Sequence, residues 1–217
     1  MRSHDPTEPL RPRRQRRAGP TVVLPRLAPG PQMRRVAVAL AVWAAGYAAY
    51  RFYDAFGGRV GMIGRPAPSL HFRRDNLGGG AIILLGALLP SIAVSARRYR
   101  TVRRLVPAVG WIVAVGCCMH ALTLVTLRVL SLTGVHPTHY PPGLWLSIDR
   151  RKADLQDLLF NEPWFFVEAC LWALFALTAL QPPPRQRWLR SVVVACGLAT
   201  AVGLLSGLGA IPTFRSG

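Results

Sequence analysis

RRYRTVRRLVPAVGWIVAVGCCMHALTLVTLR, residues 97–128, decides the fold class. Five arginines and no acid occupy residues 97–104, and no charged residue follows until Arg128. At a rise of about 1.5 Å per residue, about 20 apolar residues span the ~30 Å hydrocarbon core of a bilayer. The run 105–127 is long enough for that, and it lacks the alternation of a membrane strand. Clustered arginines beside an uncharged run are the topology signal of a membrane helix.

Working outward, four further runs read the same way: about 36–53, 77–95, 163–180 and 191–212. The expectation is an all-α integral membrane helical bundle of about five transmembrane helices over residues 36–217. Dropping the weakest crossing gives a four-span alternative. Residues 1–35 hold nine arginines and two acids among many prolines. Such a segment cannot bury enough surface to offset its ordering entropy, so a disordered basic N-terminal tail is expected. The MRR of residues 33–35 and the apolar run behind it also resemble a signal peptide. Tyr47 spoils the small-residue cleavage pattern, which favours a retained span.

The charge balance orients the bundle. With the N-terminus inside, the inner segments carry 17 basic residues against 10 outside, and two acids against six. The positive-inside rule then gives a cytoplasmic N-terminus in the cell membrane and an outer C-terminus. A single lysine among 26 arginines, with abundant Ala, Gly and Pro, suits a GC-rich bacterial genome.

The net charge of +18 invites a nucleic-acid reading. The arginines form short clusters between apolar runs, and no nucleic-acid-binding module is recognisable, so no nucleic-acid partner is expected. The expected partners are the lipid bilayer, anionic lipid headgroups for the basic tail, and a membrane-protein partner or a second copy of the chain.

The long outer loop, 128–162, begins irregularly and continues as LWLSIDRRKADLQDLLF. Ile148, Leu155, Leu158 and Leu159 fall near one helical face, with Arg150, Arg151, Asp154 and Asp157 opposite. That pattern predicts an amphipathic helix on the outer membrane surface. Asn161 and Pro163 then mark the start of the fourth span.

Depth selects candidate functional residues. Arg51, His120 and Glu168 fall in one layer of the outer third of the bilayer when counted along their helices, with Asp54 and Arg128 about a turn or more further out. Charges in hydrocarbon cost about 2.5–3.5 kcal/mol each, so they turn inward and pair. Arg51, Asp54, His120 and Glu168 are therefore the candidate intramembrane polar cluster, with Tyr47 and Tyr50 on the face of Arg51. The bland alternative has Arg51 and Asp54 reaching outward to headgroups. Ala195, Ala199, Gly203 and Gly207 recur every fourth residue and form the candidate helix-packing face of span five.

Other chemistries find less support. The adjacent Cys117 and Cys118 do not make the CxxC of a thiol oxidoreductase. His136 and His139 form an HxxH that needs a third ligand from Asp149, Asp154 or Glu162, so no metal or other cofactor is expected. No catalytic motif occurs, which favours a non-enzymatic accessory or assembly partner. The alternative is a small transporter or ligand-binding protein using the outer-leaflet cluster.

FYDAFGGRVGMIG, residues 52–64, resembles the end of the first span in a family of small multi-span bacterial membrane proteins of unknown function. Tyr53, Ala55, Gly57 and Gly58 match that pattern, and Asp54 stands where the family has tryptophan. The resemblance implies a multi-span architecture and transfers no site residues.

Overall fold

The structure is a computed structural model that describes residues 30–67, 70–138, 140, 143–180 and 182–211. Residues 1–29 of the expected tail, His139 and the last residues of the chain lie outside the described residues.

Among the described residues the fold is all-helical apart from one short ribbon. The elements run α1 (Pro31–Ala55), β1 (Gly64–Pro66), α2 (Leu70–Ser95), α3 (Arg100–Leu132), β2 (Trp145–Ile148), α4 (Arg150–Gln156), a π-helical turn (Asp157–Asn161), α5 (Glu162–Ala179) and α6 (Pro182–Gly207). Among the described residues, five helices are long and apolar enough to cross a membrane, α4 through α5 counting as one.

Pro31 opens α1, where its missing N–H is one the helix would leave unbonded. The expected tail ended at residue 35, so α1 begins inside it. Beyond Ala55, Gly57 takes a φ of 89°. Its N–H bonds Asp54 O and that of Gly58 bonds Tyr53 O, closing the helix with a left-handed residue that glycine adopts without strain.

The helices pack in a row, in the order α2, α1, α5, α3, α6, with only slight contact between α2 and α3. Met33, Val36 and Leu40 of α1 meet Val106 and Ala114 of α3 and Trp172 and Phe175 of α5 in the main core. Close approach needs small residues. A Cβ on Gly110 would lie 2.6 Å from Ala176 Cβ, fixing the distance between α3 and α5. Ala195 and Ala199 pack against the cluster of Val115, Val192 and Cys196. A Cβ on Gly203 would lie 2.6 Å from Thr123 Oγ1, and one on Gly207 2.6 Å from Leu127 Cδ1. The small face of α6 thus runs along α3 of the same chain. Large apolar side chains such as Ile82, Leu85, Val193, Val194 and Leu198 stay exposed on the outer helices.

The ribbon was not foreseen. β1 and β2 pair antiparallel, with Gly64 opposite Ile148, and Asp149 N donates to Ile63 O at 2.9 Å. This corrects the reading of LWLSIDRRKADLQDLLF as one helix lying apart from the fourth span. Its first residues form β2. Its helix begins at Arg150, capped by the Asp149 carboxylate, which accepts from Lys152 N at 3.0 Å. The helix then continues through the π turn into α5. Pro163 supplies a physical reason for that turn: it has no N–H for the carbonyl four residues back, and its ring crowds that carbonyl. The wider turn accommodates the proline without ending the helix.

Candidate functional site

α4 and α5 present one face to α3. Asp154, Asp157, Asn161, Glu162, Phe165, Glu168 and Trp172 follow one another along it at helical spacing. Asp157 and Glu162 are five residues apart, which on a uniform α-helix would turn them about 140° from each other. The π turn absorbs part of that angle, so both reach the α3 side.

At the ribbon end of this seam lies a charged clasp. Arg128 of α3 donates from Nε and Nη2 to Asp157 Oδ2, each at 2.8 Å, and its Nη1 lies 3.6 Å from Asp154 Oδ1. Asp154 is buried on a helix whose aspartates were expected to face outward. Its Oδ2 accepts from Ser131 Oγ at 2.6 Å, and its Oδ1 from Thr138 Oγ1 at 3.0 Å and Tyr140 OH at 3.2 Å. Asn161 Nδ2 donates to Asp157 Oδ1 at 2.6 Å, and Asn161 Oδ1 accepts from Tyr47 OH at 3.1 Å. The network therefore joins α1, α3, the 133–140 loop and the α4–α5 helix. Burial, with the nearby Asp154 charge adding to it and Arg128 opposing, holds the Tyr140 phenol above its ordinary value, so it serves as a donor.

About 12 Å further along α3, eight residues before Arg128, lies a pair of a different kind. His120 Nε2 is 3.7 Å from Glu162 Oε2, too long for a hydrogen bond. Glu162 is 2% exposed at its side chain, whereas that of His120 is 44% exposed. Glu162 Oε2 has no hydrogen-bond partner among the described residues. Phe165 meets the His120 ring edge-on, with centroids 4.5 Å apart. Deeper still, Glu168 is buried with Oε2 likewise unpartnered, one turn before Trp172. Trp172 and Phe175 close the seam at that end.

The four residues nominated from depth do not converge. Arg51 lies on the α2 side of α1, where a Cβ on Gly79 would come within 3.3 Å of its guanidinium. The ion pairs among the described residues belong to His120 and Arg128, and none joins Arg51 to Asp54. The reason is packing order: α5 and not α2 adjoins α3, so Arg51, turned to α2, is separated from the α3–α5 groups. His120 pairs with Glu162, which the sequence suggested only as a potential metal ligand. Among the described residues no group of three His, Cys, Asp or Glu side chains is placed to hold a metal ion. The acids at 154, 157 and 168, which share one helical face, were the available signal for the seam, and Glu162 joins them only through the π turn.

Comparison with protein-family models, with curated proteins and with solved structures finds no match for this chain.

Proposed function

We propose that the chain is a multi-pass membrane protein that takes up a proton at the His120–Glu162 pair. The observation that carries this reading is Glu162: a buried carboxyl oxygen without a hydrogen-bond partner, beside a histidine that is half open. A polar atom buried without a partner costs about 1–3 kcal/mol, and more when charged, so a site of this kind favours any donor that completes it. Ionisable residues inside a membrane bundle most often serve ion or proton pathways.

Arg104 and Arg128 bracket the uncharged stretch of α3 at a separation of about 36 Å along the helix, against a hydrocarbon thickness of ~30 Å. That spacing supports a bundle with the Arg128 clasp near one interface and His120 about two turns below it. The arginine-rich first turns of α3 and α6 share an end with the start of α1, where Gln32 and Arg185 line one pocket, which supports a cytoplasmic N-terminus under the positive-inside rule. The basic tail then faces anionic headgroups on that side. Because Trp172 and Phe175 close the seam, the reading is a site entered from one face.

The test follows the carboxyl stretching band of the protein in nanodiscs during a pH step. A pH-dependent band that Glu162→Gln removes and His120→Gln shifts is the expected result. If no pH-dependent band disappears with Glu162→Gln, the proposal fails.

A second reading, an accessory or assembly partner, is favoured by the exposed apolar faces of α2 and α6 at the two ends of the row. It requires co-purification of a partner at fixed stoichiometry.

A further inference from the structure

On the other side of the α4–α5 helix lies a groove of about 780 Å³. It is walled by Tyr50 and Tyr53 of α1, by Val60 in the following loop, and by Leu155, Leu159 and Phe160. Tyr53 OH holds the loop wall in place by accepting from the backbone N–H groups of Arg59 and Val60, both at 3.1 Å. Gln156 Nε2 donates to Tyr50 OH at 2.8 Å across its floor. Its lining includes no acid, and its one charged side chain is Lys152, the only lysine in the chain. Lys152 Nζ donates to Met62 O at 2.7 Å, which leaves two of its three ammonium donors for another partner.

We infer that this groove binds one anionic phospholipid from the surrounding bilayer, with its phosphate at Lys152 and an acyl chain along Leu155, Leu159 and Phe160. The inference rests on the membrane placement proposed above and is independent of the His120–Glu162 site. Two observations choose the occupant. One is charge: a single cation at one end of an otherwise apolar groove complements an amphiphile with one anionic head. The other is level: Lys152 and Leu159 are about 10 Å apart along the helix, close to the Arg128 clasp that marks the interface. The charged end therefore meets headgroups and the apolar end meets chains. Val60 and Leu159, each more than two-thirds exposed, form an apolar rim that a chain would cover.

The experiment uses the full chain in vesicles containing phosphatidylglycerol or phosphatidylcholine that carries a photoreactive group in its acyl chain. Vesicle flotation scores membrane integration first, so failure to integrate refutes the membrane placement and is distinguished from failure of the groove. Labelling of the 155–160 segment at least fivefold stronger from phosphatidylglycerol is expected. Lys152→Gln should reduce it to the phosphatidylcholine level, Lys152→Arg should retain it, and Leu155→Trp, which fills the groove, should abolish it. Equal labelling by the two lipids, or labelling that Lys152→Gln leaves unchanged, would overturn the inference. Displacement by glycerol 1-phosphate would overturn it as well, by assigning the site to a free phosphate ester.

Discussion

Replacing Arg128 by alanine removes the one cation of the clasp and leaves two carboxylates behind. Their surroundings differ. Asp154 is 3% exposed at its side chain, and its remaining support is three hydroxyl donors. Asp157 is 20% exposed, so water can replace part of what it loses. Breaking a buried ion pair by removing one partner costs about 3–5 kcal/mol, mostly because the remaining charge stays buried. Arg128→Ala should therefore destabilise the protein by about 3–5 kcal/mol, with partial water access to Asp157 drawing the value toward the lower end. Arg128→Lys should fall between, since an ammonium cannot reproduce the paired Nε and Nη2 contacts. The assay is reversible unfolding in mixed micelles, followed by tryptophan fluorescence, on a double-mutant cycle of Arg128→Ala with Asp157→Ala. A coupling of about 0.5–3 kcal/mol is expected for groups in contact. A cost for Arg128→Ala below about 1 kcal/mol, the range of exposed ion pairs, would refute the reasoning by showing that the clasp is effectively solvated.

Gly110→Ala drives a methyl group against Ala176 and should destabilise by about 1–3 kcal/mol, while Gly116→Ala, with nothing within 4 Å, should be neutral or stabilising; thermal unfolding of the two variants gives the order. Deleting Leu159, an exposed residue of the π turn, should restore an α-helical register in which Asp157 and Glu162 lie four residues and about 40° apart, so that both still reach α3. Cysteine crosslinks between positions 131 and 154 and between 110 and 176 should therefore both persist, and loss of the first would refute this account of the turn. Tyr140 has a phenol held above its ordinary value of 10.0 by burial, so the folded state binds that proton more tightly than the unfolded state. Its contribution is complete below pH 10 and is lost as pH rises through the folded value. Tyr140→Phe should therefore diminish the loss of stability above pH 10, measured by unfolding at fixed temperature across that range.

The helices were legible because lipid demands long apolar runs, and a run such as 105–127 allows few alternatives. Helix ends were less so. Pro163 beside Asn161 has the chemistry of a helix start, yet a proline also fits inside a helix that widens by one residue, and nothing local distinguishes the two. The candidate site turned on a different quantity, the order of the helices in the row. Depth along each helix was computable from residue counts and gave Arg51, His120 and Glu168 similar levels. Neighbourhood was not, because apolar faces in lipid carry little information about which helix they touch. The same ambiguity reversed the amphipathic stretch at 150–160. In water its leucines would turn inward and its aspartates outward. Beside Arg128 the opposite holds: Asp154 is buried against the guanidinium and Leu159 is left exposed. Polarity alone therefore fixes that a helix has two faces, and the solvent around the bundle together with the charge on the neighbouring helix decides which face is the inside.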